Sequence, residues 1–224
     1  SWGKTENPPL LQGMFIINKF LYPDLNFQKI ERKIEEIRKD VWLELKDSLT
    51  SLEKTTVLNH LFFDVHGYSI NHSNINSPQN CFLNQVIETK MGNPYSITML
   101  YSIVAQSLEL PIYFIDFPRN PLMAYFDRNI ARAAHGKDVD TDIIFYINPS
   151  NKGSITGRKE VEYHLKKMKI IPDTKYYSKS DNRLFLLRLL SRLHKAYDTL
   201  GFTDKAEVIY ELKIIISDQM GMNL

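Results

Sequence analysis

Ser96 is the residue around which chemistry could be built in this chain. It stands in Gly92-Asn93-Pro94-Tyr95-Ser96, a helix stop followed at once by a helix start. The sequence predicts that Gly92 takes the left-handed conformation that ends one helix. Asn93 is a strong N-cap for the next, and Pro94 at the first helical position lacks only an N–H that would be unpaired anyway. Ser96 then falls in the first turn, where unpaired N–H groups and the helix dipole favour negative charge. A cysteine at that place would be driven toward thiolate. A serine hydroxyl is a weak nucleophile unless a neighbouring base takes its proton. The six histidines, His60, His66, His72, His135, His164 and His194, are scattered.

The remaining constellations are weaker. Asp138-x-Asp140-x-Asp142 opens like a calcium loop, but Ile143 stands where the sharp turn needs glycine and Pro149 where the bidentate glutamate belongs. No two histidines have the i, i+4 spacing of a helical metal site, and Cys81 has no partner cysteine. Lys152-Gly153-Ser154 lacks the glycine-rich approach of a phosphate loop. No metal and no cofactor is expected, and Cys81 reads as a small buried apolar residue.

The elements that must position Ser96 follow from periodicity. Leu10 to Leu21 is a dense apolar segment and predicts a buried helix. Asn26 caps a long amphipathic helix with Ile30, Ile34, Ile37, Val41 and Leu45 on one seam and mixed charge opposite, a solvated face. Leu58, Leu61, Phe62 and Val65 predict a third helix ending at Gly67. Residues 68–79 form a Ser/Asn-rich loop. A helix from Phe82 to Lys90 precedes the stop, and the one from Pro94 to Leu108 is apolar nearly all round, so it belongs in the core. Ile112–Ile115, Leu122–Phe126 and Ile143–Ile147 predict short strands, with a polar excursion over residues 129–140. A helix covers Arg158–Met168 and a polar linker Pro172–Asp181. Two amphipathic helices, carrying Leu186, Leu190, Leu193, Tyr197 and then Val208, Ile209, Leu212, Ile215, Ile216, form an antiparallel hairpin turning at Gly201.

Composition bounds the function. The 224 residues are 43% hydrophobic and 24% charged, with a formal net charge of +2. That balance gives no reason to expect nucleic acid or an anionic membrane as partner. No run approaches the ~20 apolar residues of a membrane span; Leu184–Leu193 comes nearest, and Arg188 and Arg192 interrupt it. A single cysteine excludes an internal disulfide framework. With no secretory signal visible at Ser1-Trp2-Gly3-Lys4, the expected compartment is the cytoplasm.

Several words of the chain resemble the SirB family of transglutaminase-like proteins. They are Leu58-Asn59-His60-Leu61-Phe62-Phe63 with Gly67-Tyr68, and Ser77-Pro78-Gln79-Asn80-Cys81-Phe82-Leu83-Asn84-Gln85-Val86. Gly92-Asn93-Pro94-Tyr95-Ser96-Ile97 and Leu110-Pro111-Ile112-Tyr113 complete the set. The resemblance implies an α+β fold, a mostly helical papain-like core with a small antiparallel sheet; a capped buried helix feeding short strands agrees with it. It also implies a cysteine–histidine–aspartate site. The cysteine position falls on Ser96. The histidine, which follows a Pro-Gly pair in the family, falls on Asn120 after Pro118-Arg119, and the aspartate on Asn148 before Pro149. The hairpin resembles a tetratricopeptide repeat through Leu190, Leu193, Tyr197, Gly201, Ala206 and Tyr210, which divides the chain into residues 1–172 and 181–224.

Neither asparagine can take a proton, so the expected function is a non-catalytic transglutaminase-like binding or scaffolding module. Asn80, Asn84, Tyr95, Ser96 and Asn120 are its expected binding residues. The hairpin would offer a surface to a protein partner. The alternative is an acyl-transfer or hydrolase enzyme using Ser96 with an unmatched base such as His135.

Overall fold

The computed structural model describes residues 7–135 and 141–222, apart from the side chains of residues 134 and 135. Its centre is the helix that begins at Pro94. That helix, here α5 (Pro94–Ser107), follows α1 (Leu10–Leu21), α2 (Phe27–Glu44), α3 (Ser51–Asn59) and α4 (Leu83–Thr89). Every residue of α5 from Tyr95 to Ala105 is buried. Full burial of each of its Ile, Leu, Met and Val side chains stabilises by roughly 1.5–3 kcal/mol, so the helix is held by packing on all sides. α1, α2 and α4 close round it, Ile30, Ile34, Ile37 and Val41 supplying the buried seam of α2 as its spacing predicts.

The sheet is a four-stranded antiparallel meander of β3 (Ile112–Ile115), β4 (Leu122–Phe126), β5 (Ile143–Asn148) and β6 (Ser154–Thr156). A separate two-residue parallel pair joins β1 (Ser69–Ile70) to β2 (Met91–Gly92). Two further helices flank the sheet, α6 (Arg128–His135) and α7 (Arg158–Lys167). The chain ends in α8 (Asn182–Thr199) and α9 (Thr203–Gln219), which pack on each other across a turn in which Gly201 takes φ +75°. α8 also packs on α1 and α5, and Phe185, Leu186, Leu189, Leu190 and Leu193 join the same apolar cluster as α5. The architecture is the expected α+β class, mostly helical with a small antiparallel sheet and a C-terminal helical hairpin.

Some local expectations are corrected. α4 ends not at a left-handed Gly92 but at Lys90, which takes φ 62°. Gly92 lies in β2 and is small for a different reason: a Cβ there would sit 2.5 Å from the Ser96 hydroxyl oxygen. Val65 is 57% exposed although it fits the apolar seam of α3. Residues His60–Val65 continue α3 as a π-helical turn, which shifts the phase of that seam. Part of the expected polar excursion is α6, whose first N–H groups at Asn129 and Ile130 donate to the Asp127 carboxylate. Asp138 and Asp140, two of the three aspartates in the calcium-like spacing, lie outside the described residues.

Candidate functional site

The start of α5 is built as the sequence predicts, and its hydroxyl is consumed in building it. Asn93 accepts at Oδ1 from the N–H groups of Tyr95 and Ser96, each at 2.9 Å. Ser96 Oγ reciprocates by accepting from the Asn93 N–H at 3.0 Å, closing a capping box of the kind that satisfies helix-start donors in pairs. The hydroxyl donates its one proton to the carbonyl of Asn80 at 2.5 Å. Ser96 is 0% exposed, so both faces of its oxygen are committed inside the protein. The Asn93 amide reaches the other way and donates to Cys81 Sγ at 3.0 Å.

Cys81 is buried, and that burial pushes its thiol up to about 12. The Asn93 amide and the charge of Arg192 pull the other way and do not offset it. A thiol this far above neutral pH carries almost no thiolate, the form that attacks electrophiles or binds metal.

Topology brings two of the three positions of the resemblance, Asn120 and Asn148, to one end of the sheet. Met123, three residues after Asn120, pairs with Ile147, the residue before Asn148. The Pro149–Asn151 turn packs against α5. A relay fixes that turn: Tyr101 on α5 donates to Asn59 Oδ1 at 2.8 Å, and Asn59 Nδ2 donates to the Gly153 carbonyl at 2.8 Å. Gly153 has φ +72°, and a side chain there would run into the Asn59 amide. The frame is therefore tight. Its polar groups do not meet, however: Ser96 is sealed below α5's first turn, Asn148 Oδ1 accepts from the Ser150 N–H at 3.1 Å, and Asn120 is exposed. The side chain of His135 lies outside the described residues.

A cleft of about 440 Å³ opens above the cap, between residues 74–78, the first turn of α5 and the second half of α8. That volume lies in the roughly 300–1,000 Å³ range of small-ligand sites. Tyr95 and Asn120 both line it, with Cys81 and Asn93 in its wall. Asn80 and Asn84 are among the residues expected to bind, yet neither lines it. The Asn80 amide donates to Asn74 O at 2.5 Å and accepts from Asn71 at 3.2 Å, shaping the loop instead. Asn84 Oδ1 is buried without a hydrogen-bond partner among the described residues.

The cations of the cleft were not among the expected binding residues. Arg192 and Lys195 of α8 line the cleft, and Arg119 lies just beyond it. Arg192 lies over the Tyr95 ring, 5.5 Å from its centroid, and donates to the Arg119 carbonyl at 3.0 Å. The signal was present: Arg188 and Arg192 interrupt an otherwise apolar helical run, four residues apart on one face. Arg188 is accounted for by Asp116, gripped at 2.9 and 2.7 Å. Arg119 holds φ +71° at the place where the resemblance puts glycine, a conformation that costs a side-chain-bearing residue about 1–2 kcal/mol.

A protein-family model described as "Transglutaminase-like superfamily" matches residues 15–191. The chain is 27% identical over 209 residues to a UPF0162 protein of Xylella fastidiosa (strain 9a5c), covering 90% of this chain and 69% of that protein. It is 32% identical over 75 residues to a UPF0162 protein of Pasteurella multocida (strain Pm70), covering 34% of this chain and 28% of that one. It is also 25% identical over 175 residues to the F-box only protein 21 of Mus musculus, covering 68% of this chain and 27% of that protein. No solved structure matches the chain.

Proposed function

Because the chain belongs to the transglutaminase-like superfamily, we propose that it keeps the framework of that fold as a binding module and has given up turnover. The observation that carries this reading is the Ser96 hydroxyl. Buried, donating to Asn80 O and accepting from the Asn93 N–H, it has no path to a substrate, and its hydrogen-bond partners among the described residues include no base to take its proton. Asn120 and Asn148, at the histidine and aspartate positions, offer amides that hold hydrogen bonds but transfer no proton at neutral pH. What remains at the surface is the cleft of Tyr95 and Asn120, a place to hold a ligand. Within the superfamily we place the chain beside the SirB family, on the words around Asn80-Cys81 and Gly92–Ile97. Its C-terminal hairpin then serves as a tetratricopeptide-like surface for a protein partner, α9 leaving Tyr210, Ile214 and Ile215 exposed.

The test is turnover measured against a matched variant. Incorporation of a fluorescent amine into casein and hydrolysis of p-nitrophenyl acetate should proceed at the same rate for the protein and for Ser96→Ala. A rate that collapses in a folded Ser96→Ala variant overturns the reading and makes Ser96 a nucleophile.

A further inference from the structure

The cleft beside Tyr95 does not end there. A second hollow of about 340 Å³ adjoins it, and Tyr95 and Arg192 line both. Among the described residues, Arg192, laid over the Tyr95 ring, is the one side chain common to them besides the ring itself, so the two form one groove with a cationic sill at its midpoint.

The groove concentrates charge that the chain as a whole does not have. Among the described residues, Lys195, Arg192, Arg119, Arg188 and Lys175 line it against the single carboxylate of Asp116, whereas the entire sequence carries a formal net charge of +2. Asp116 is already spent on Arg188. Lys175 has Asp173 at 3.6 Å. Arg119, Arg192 and Lys195 are exposed, and among the described residues no carboxylate forms an ion pair with any of them. Three uncompensated cations along one groove make a local field that draws anions.

We propose that this groove binds an acidic, extended peptide segment, its carboxylates meeting Arg119, Arg192 and Lys195 on either side of Tyr95. The proposal rests on the binding-module reading and names its ligand. The charge calls for an anion. The cleft wall calls for a peptide: the exposed Asn74, Asn76 and Asn120 line it, and carboxamides both donate and accept, as a peptide backbone requires. A single strand of nucleic acid is held differently, by phosphates tracked along a cationic path and by bases stacked on open aromatic faces. Here the ring at the midpoint is covered by Arg192, and the other two rings of the groove, Phe117 and Tyr176, are buried against each other. Arginine in such a place favours bidentate grip on a carboxylate, and the capped N-terminus of α5 beside it adds a favourable dipole.

The experiment is fluorescence anisotropy on the whole protein with a labelled peptide of alternating Glu and Gly, its Gln-Gly counterpart, and an oligothymidylate of equal charge. The acidic peptide should bind at least about tenfold more tightly than the Gln peptide, a difference worth 1.4 kcal/mol, and should weaken as salt rises. Lys195→Glu, an exposed side chain whose change should leave the fold intact, should weaken the acidic peptide several-fold. Lys195→Glu combined with Arg192→Glu should weaken it more than tenfold. Lys39→Glu, on the exposed face of α2 and outside both hollows, should leave it unchanged. Equal affinity for the Glu and Gln peptides, or an equal loss in Lys39→Glu, overturns the proposal. Tighter binding of oligothymidylate overturns it in favour of nucleic acid. These failures leave the non-catalytic reading standing, because that reading falls only if turnover depends on Ser96.

Discussion

Replacing Ser96 with alanine removes one oxygen and tests what that oxygen is for. In the native protein it accepts from the Asn93 N–H at 3.0 Å and donates to Asn80 O at 2.5 Å, in a site that is 0% exposed. Stripping a partner from a buried polar group costs about 1–3 kcal/mol. Two groups lose a partner here, but the loss is softened because the Asn93 N–H also reaches Asn80 O at 3.3 Å. The Asn93 half of the cap, to Tyr95 and Ser96 N–H, survives. The expected destabilisation is therefore about 1.5–3 kcal/mol. For a chain of this size each 1 kcal/mol shifts the melting midpoint by about 2–4 °C, so the midpoint should fall by roughly 3–12 °C. Urea titration followed by circular dichroism should show a lower midpoint with an unchanged slope, the sign of a change in stability alone. A change below about 0.5 kcal/mol would refute the reasoning, because a hydroxyl with no structural duty is one free to react.

The same corner gives further outcomes. Gly92→Ala forces a Cβ to within 2.5 Å of the Ser96 oxygen and should cost about 1–3 kcal/mol by overpacking; added to Ser96→Ala it should cost less than the sum, a coupling that denaturation of all three variants measures. Cys81 should resist iodoacetamide at pH 7.5 in the native protein and react fully in denaturant, as read by intact mass. Its folded thiol, pushed up to about 12 by burial, also makes stability pH-dependent: the contribution is whole below the unfolded value near 9 and is lost as pH rises toward 12, since the unfolded chain ionises first. Stability curves of wild type and Cys81→Ala should therefore converge above about pH 9. Arg188→Ala strands the nearly buried Asp116 carboxylate at the end of β3, and the half-exposed arginine limits the loss to about 1–2 kcal/mol, again measured by urea titration.

Much of this corner was legible in the sequence because its determinants are local. Asn93 and Pro94 announce a helix start whatever surrounds them, and α5's unbroken apolar surface announces burial. Gly92 was legible as necessary but not for the right reason. Its constraint is the Ser96 oxygen four residues on, a clash that exists only once β2 and α5 are folded together, while Lys90 takes the left-handed turn instead. Val65 misled because the π-helical turn breaks the 3.6-residue phase on which its burial was inferred. β1, β2 and β6 have two, two and three residues, too few for an alternation pattern to register. The fate of Ser96 was not visible either: its decisive partner is the carbonyl of Asn80, sixteen residues away, and backbone carbonyls leave no trace in composition. The groove was hidden for the same cause, Arg119 and Arg192 being 73 positions apart and meeting only where α8 crosses the start of α5.

The central claim is that the Ser96 hydroxyl caps a helix and does not attack a substrate. The most direct measurement is treatment of the native protein with a fluorophosphonate probe, followed by proteolysis and mass spectrometry of the peptide that contains Ser96. A capping hydroxyl leaves that peptide unmodified at a probe concentration and time that label a known serine hydrolase to completion. Stoichiometric phosphonylation of Ser96 in the folded protein would contradict it.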